Sequence, residues 1–244
     1  MPNERLRSAI VERGLTSARL AELVRVDPKT VDRWVATSRT PYRSTVAEVA
    51  QVLGRDPGWL WPETIASPES ELVQFYPHRA VVPRSTWSNL LDRAQERIDV
   101  LCFAGLFFVE ENPGLDQALA AKAAIGTRIR IMLGDPDSPA VRARGDEEGI
   151  GEALAAKVRN VLVYLGALSA TDGIDLALHT TTLYATIYRF DDEMLVNTHT
   201  YGFPAYMSPV LHLRRRTSGS LFGTYERSLE RVWQSARPYE ESVE

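Results

Sequence analysis

The sequence predicts a multidomain protein, an all-α domain of five helices followed by an α/β domain on a mixed, mainly parallel sheet. Three observations carry this expectation. Residues 16–34, TSARLAELVRVDPKTVDRW, have the spacing of two short helices joined by a tight turn. From Trp87 onward, apolar runs too short for helices alternate with helical patterns, the rhythm of an α/β layer. Charge also changes sign along the chain. Residues 1–62 carry ten Lys and Arg against seven Asp and Glu, a net of +3, and the rest of the 244 residues carry eighteen against twenty-five, a net of −7. This length exceeds the usual single domain, and a division into about 60 and about 160 residues follows.

The totals exclude several classes. Hydrophobic residues make up 44% and charged residues 25%, ordinary for a globular protein. No apolar run approaches the roughly 18 residues of a membrane span, and MPNERLRSAIVERG lacks the apolar centre of a secretory signal. A cytoplasmic protein without a membrane partner is expected. The lone Cys102, inside VLCFAG, reads as a buried and inert thiol. No ligand pair stands at zincin or finger spacing, so neither metal nor cofactor is expected.

In the first domain, Asn3 caps a helix with Leu6, Ile10 and Val11 inward, which Gly14 ends. Thr16 or Ser17 caps the second helix, whose inward face is Leu20, Ala21 and Leu23, and Val26 fills the turn. Asp27 and Pro28 open the third helix, because the aspartate accepts from free amides of the first turn and proline has no amide to leave unpaired. Val31 and Trp34 face inward there, leaving Lys29, Thr30, Asp32 and Arg33 outward. A fourth helix with Val46, Val49, Ala50 and Leu53 inward closes at Gly54, and DPGWLWP reads as a short fifth.

This arrangement, over about residues 4–62, resembles the lambda-repressor-like, xenobiotic-response-element (Xre) type of helix-turn-helix regulator. The resemblance implies that Lys29, Thr30, Asp32 and Arg33 meet base edges in the major groove of double-stranded DNA. It adds Ser17, at the start of helix two, to the DNA-contacting residues and places Ser38, Arg39 and Arg43 in the following segment beside phosphate. Arg25 stands near a place where the family commonly has glycine, so a slightly altered turn is expected. A net of +3 makes one copy a weak, salt-sensitive binder, and two copies on a palindromic site would remedy that.

Residues 63–83 read as a linker or strap, with a short helix near 69–76 and an extended YPHRAVVP whose His78 and Arg79 read as exposed. The second domain, 84–240, then offers a helix from Trp87 to Arg97, a strand from Ile98 to Ala104, a helix from Gly114 to Ile125 and a strand from Thr127 to Leu133. One helix over 147–165 and a strand to His179 follow. Leu183 to Phe190 and Glu193 to Thr198 form a hairpin about Asp191 and Asp192. Val210 to Arg215 is a further strand, and LFGTYERSLERVW a closing helix with Leu221, Tyr225, Leu229, Val232 and Trp233 inward. Tyr184 and Tyr188 share one face, His212 reads as structural, and Arg214 to Arg216 as a solvated strand end.

That order resembles the phospholipase D superfamily over about residues 84–237. The family signature is His, any residue, Lys, four residues, Asp, then Gly-Ser and Asn. Here His179 matches, whereas Thr181 stands at the lysine position, Thr186 at the aspartate position, and NTHT, with Asn197 and His199, in place of Gly-Ser. In the family the histidine attacks phosphorus while Lys and Asn hold phosphate oxygens. Loss of the lysine removes a charge worth about 3 kcal/mol or more at the transition state, so a non-enzyme is expected.

What remains is a binding pocket at strand ends, where open α/β sheets take ligands. Its candidate residues are Asp135, Arg142, Arg144, Glu147, His179, Thr181, Tyr188, Asn197 and His199. The ligand expected is a small effector, anionic or phosphate-containing. The whole chain also resembles a group of actinobacterial regulators in the blocks YPHR, GDPDSP, RGDEEG, YRFDDEMLVNTHTYG and ERVW. One-signature phospholipase-D-like domains commonly pair across a two-fold axis, which implies a homodimer on DNA. The other readings are residual phosphodiesterase activity through His179 and a protein-recruiting module without a ligand.

Overall fold

The computed structural model describes residues 2–37, 39–62, 70–217 and 219–240, and the chain divides into two compact units, 1–70 and 71–244. The first unit contains helices α1 (Glu4–Glu12), α2 (Ser17–Leu23), α3 (Pro28–Thr37), α4 (Arg43–Leu53) and α5 (Pro57–Leu60). Each start has a local cause. Asn3 Oδ1 accepts from the Leu6 amide at 2.9 Å while its Nδ2 donates to the Leu60 carbonyl, and Thr16, Asp27 and Asp56 accept from amides at the starts of α2, α3 and α5. Gly54 ends α4 in the left-handed region. Leu6, Ile10, Leu20, Val31, Val49 and Leu60 fill the centre, and Trp34 meets Trp61 edge to face at 6.2 Å.

Two inward positions are corrected. Leu23 is exposed and Val24 is buried in its stead, because α2 ends there; Val11 faces solvent on α1. Arg25 itself adopts the left-handed conformation, φ 51°, and the Val26 amide donates to the Ala21 carbonyl at 2.9 Å. That conformation strains a residue with a Cβ and not a glycine. Arg25→Gly is therefore expected to raise the unfolding free energy of this unit, by up to about 1 kcal/mol, seen as a higher midpoint in thermal melts followed by tryptophan fluorescence. A lowered midpoint would mean that the guanidinium makes a contact worth more than the strain.

The second unit is built on an eight-stranded sheet in the order β1-β7-β6-β5-β2-β3-β4-β8. Its strands are β1 (Leu72–Tyr76), β2 (Arg97–Cys102), β3 (Arg128–Gly134), β4 (Ile174–His179), β5 (Ala185–Phe190), β6 (Glu193–Thr198), β7 (Val210–Arg214) and β8 (Arg237–Pro238). Only β2·β3 and β3·β4 are parallel, and the other five pairings are antiparallel, so the sheet is mixed and not mainly parallel. The cause is β5, which enters beside β2 in the opposite sense and carries β6, β7 and β1 outward with it.

The segment 72–76, expected to be helical, is the edge strand β1 paired with β7, and it belongs to this unit. The helix expected over 147–165 begins later, as α10 (Ala153–Leu165), and the sequence reading of Ser138 and Pro139 as the cap and first residue of a helical turn is met by α9 (Pro139–Glu147), the two being separated at Gly149 and Gly151, both with positive φ. Helices α6 (Arg84–Arg93), α7 (Leu106–Glu110), α8 (Leu115–Ala124) and most of α10 bury one sheet face with Trp87, Leu90, Phe108, Leu119, Val158 and Val161. Helix α11 (Leu221–Ser235) covers the other with Phe222, Leu229 and Val232, and Leu221, expected inward, is exposed.

The stretch Ala153–Ala170 meets the length and hydropathy, 1.2, of a membrane-crossing helix, contrary to the expectation that no run approaches that size. Leu154, Val158, Val161 and Leu165 of that stretch are nevertheless buried in the core of this unit. At the β5–β6 turn, Asp191 accepts from the Gln95, Glu96 and Arg97 amides at 2.7–2.9 Å, which ties the hairpin to the start of β2.

Candidate functional site

In the first unit, α3 buries Val31 and Trp34, and the 3.6-residue period then turns Lys29, Asp32 and Arg33 outward. Thr30 and Ser17 are half-buried, and Arg39 is exposed. Ser38 and the Arg43 side chain lie outside the described residues. Among the described residues, Lys29, Arg33 and Arg39 have no carboxylate within 4 Å, unlike Arg19, which pairs with Glu22 at 2.6 Å. A groove of about 420 Å³ separates α3 from the segment after it, lined by Thr30, Arg33, Arg39, Tyr42 and Thr45. Tyr42 is fully displayed beside these cations, and the sequence reading did not single it out.

In the second unit a cavity of about 620 Å³ opens where β2 ends. Phe103, Leu106, Phe107, Ile150 and Leu154 form its apolar wall; Arg79, Thr186, Tyr188 and His199 supply polar groups, and Cys102 lies at its base. Of the nine candidate residues, Tyr188 and His199 line it. The others are engaged elsewhere. Asp135 pairs with Arg237 at 2.9 Å, exposed Arg142 lies 3.9 Å from Glu152, and buried Arg144 is held by Glu147 at 3.1 Å and Glu148 at 2.8 Å. Asn197 donates to the Ser208 and Pro209 carbonyls at 3.1 Å, tying β6 to the chain before β7. Tyr188 and Tyr184 do not share a face, since Tyr188 is buried while Tyr184 precedes β5 and is exposed.

His179 is a buried histidine with both nitrogens engaged. The Thr181 amide donates to Nδ1 at 3.3 Å, which leaves the proton on Nε2 for the Cys102 carbonyl at 3.1 Å. Burial holds its pKa below the usual histidine value. The one lone pair of the neutral ring, on Nδ1, is the acceptor of the Thr181 amide. His199 has the opposite tautomer: Nδ1 donates to the Leu183 carbonyl at 3.1 Å and Nε2 accepts from Thr186 Oγ1 at 3.0 Å. Its ring stacks on Phe103 at 5.7 Å. Burial above all, with Arg144 and Arg79 assisting, lowers its pKa to about 4. A hydroxyl beside an imidazole has the outline of a nucleophile and its base, but a base this weak gives little drive for removing a proton at neutral pH.

Burial pushes the Cys102 thiol up to about 12 and raises the Tyr188 phenol too, so both are neutral donors. The cavity thus sets neutral polar groups beside an apolar wall. Arg79, read from sequence as exposed, is partly buried and lines it, while His78 is exposed as expected. His212 is structural, bonded to Glu193 at 2.6 Å. Arg214 and Arg215 are ion-paired to Glu193, Asp192 and Glu226 instead of standing free in solvent.

No family model matches the chain, and no curated protein matches it. Among solved structures, TrmBL2, an archaeal chromatin protein described as showing a novel mode of DNA binding, is similar over 88% of this chain and 72% of its own, at 13% identity and TM-score 0.45. Nuc of Salmonella typhimurium, a phospholipase D family member, is similar over 68% of this chain and 95% of its own, at 15% identity and TM-score 0.37. Phosphatidylserine synthase of Haemophilus influenzae Rd KW20 is similar over 97% and 53%, at 13% identity and TM-score 0.44. Likenesses at this level assign neither family nor activity.

Proposed function

We propose that this protein is a sequence-specific DNA-binding transcription regulator. Its first unit acts as a lambda-repressor-like helix-turn-helix, and its second as a catalytically inert, phospholipase-D-like domain that takes a small effector and pairs two copies on a palindromic operator. The observation that carries this reading is α3: one face locked in the core by Val31 and Trp34, the other presenting Lys29 and Arg33, with Arg39 just beyond, all without acidic partners among the described residues. Unpaired cations on a rigid helix match phosphate and base-edge chemistry. Asp32 between them can accept a hydrogen bond from the cytosine N4 amino group. The engagement of both His179 nitrogens supports inertness.

The test is selection of bound sequences from random duplexes, followed by affinity against salt. Arg33→Ala is expected to cost about 1–3 kcal/mol on the selected site and to relax preference at one position; Arg39→Ala is expected to weaken all duplexes alike and reduce the salt slope by about 1. Absence of binding at low salt, or identical profiles for the two variants, would reject the assignment.

A further inference from the structure

The cavity holds a charge that the fold leaves uncompensated. Arg79 lies with its guanidinium 4.2 Å from the Phe107 ring centroid. Its Nη1 reaches only Asn197 Oδ1, at the long distance of 3.5 Å, and its Nε is buried without an acceptor. Among the described residues, no carboxylate lies within 4 Å of it. Asn197 cannot turn closer, because its Nδ2 is fixed by the Ser208 and Pro209 carbonyls. Of the two acids lining the cavity, Glu148 is bound to Arg144 and Glu110 is exposed. Partly buried cations in proteins are paired, and this one has only a ring face and one stretched bond to a neutral amide.

We propose that this cavity binds a small organic monoanion, an apolar carboxylate whose head pairs with Arg79 and whose body lies against Phe103, Leu106, Phe107 and Leu154. The assignment rests on the reading of the second unit as an effector-binding domain. A planar guanidinium fits one carboxylate through two parallel bonds. A phosphate dianion would bring a second charge, and the remaining lining cation, Lys157, is exposed to solvent. The aromatic and aliphatic wall favours an apolar body, and about 620 Å³ accommodates one.

The experiment titrates the full chain with hexanoate, decanoate and 2-naphthoate, with the matched alcohols, and with inorganic phosphate, reading heat of binding and melting shift. At least one carboxylate is expected to bind about tenfold or more tighter than its alcohol, and phosphate to give no shift. Arg79→Met should erase that preference, Arg79→Lys should keep part of it as a check on folding, and Leu154→Trp should exclude every probe. Equal binding of alcohol and carboxylate, or binding of phosphate alone, overturns the monoanion while leaving an effector cavity in place. No shift with any probe at millimolar concentration overturns the ligand class. A bound carboxylate that leaves DNA affinity unchanged overturns the effector role and leaves the ligand class standing.

Discussion

Asp99→Ala is expected to destabilise the second unit by about 3–5 kcal/mol, read as lost hydrogen-exchange protection of β2 and β3 amides in the full chain. Asp99 has no exposed surface and sits on β2 directly opposite Arg130 of β3 and Arg189 of β5. Its two oxygens accept from Arg97 Nε at 2.6 Å and Arg130 Nε at 2.7 Å, and Arg189 Nη1 lies 3.7 Å away. From α11, Glu230 reaches Arg130 at 3.0 Å and Glu226 reaches Arg189 at 2.8 Å, so one carboxylate under the helix organises the cations that pin the helix down. Trp233 lies against the buried Arg130 and Phe222 against the half-exposed Arg215.

Removing Asp99 leaves the buried guanidinium groups of Arg130 and Arg189 with only Glu230 and Glu226, and that cost exceeds what the pair contributed to stability when whole. Asp99→Asn, which keeps an acceptor oxygen, should lose less. The double change Asp99→Leu with Arg130→Met should recover much of the stability, because an apolar pair of similar volume removes both charges together. A loss below about 1 kcal/mol for Asp99→Ala would mean that water reaches the network and screens it.

The sequence disclosed what is local and concealed what depends on distant pairing. Asn3, Thr16, Asp27 and Asp56 mark helix starts because a cap is decided within three residues, and the α3 face follows from the same period. The runs that became β2, β3 and β4 were legible because strands buried on both faces are mostly apolar. Leu72–Tyr76 was not, since an exposed edge strand has no face to reveal and its partner β7 lies some 140 residues on. The parallel bias failed for the same reason: nothing near Ala185–Phe190 states which way β5 will lie against β2. Asp99, Arg130 and Arg189 lie far apart in the chain, and only the strand register sets them side by side. Arg79 was misplaced because what distinguishes it is a missing partner, and absence leaves no pattern in a sequence.

His199→Gln is expected to flatten the loss of stability of the second unit on acidification, by up to about 3 kcal/mol between pH 6.5 and 4, measured as exchange protection of β5 and β6 at a series of pH values. The folded pKa of about 4 lies below the 6.5 of the unfolded chain. As pH falls below 6.5 the unfolded state takes up the proton first, so stability present above that value drains away at up to about 1.4 kcal/mol per pH unit. His179, also lowered by burial, adds a slope of the same sign. Asp99 opposes both, because burial raises its carboxyl to about 6 from 3.8 despite Arg97 and Arg189. There the folded state binds the proton, and stability declines as pH rises from about 4 to 6. Asp99 therefore offsets about one of the two histidines in that range, the native protein loses stability on acidification with the slope that remains, and removing His199 should leave a nearly flat profile. A His199→Gln profile parallel to that of the native protein would mean that the Thr186 and Leu183 bonds hold the imidazole as readily charged as neutral.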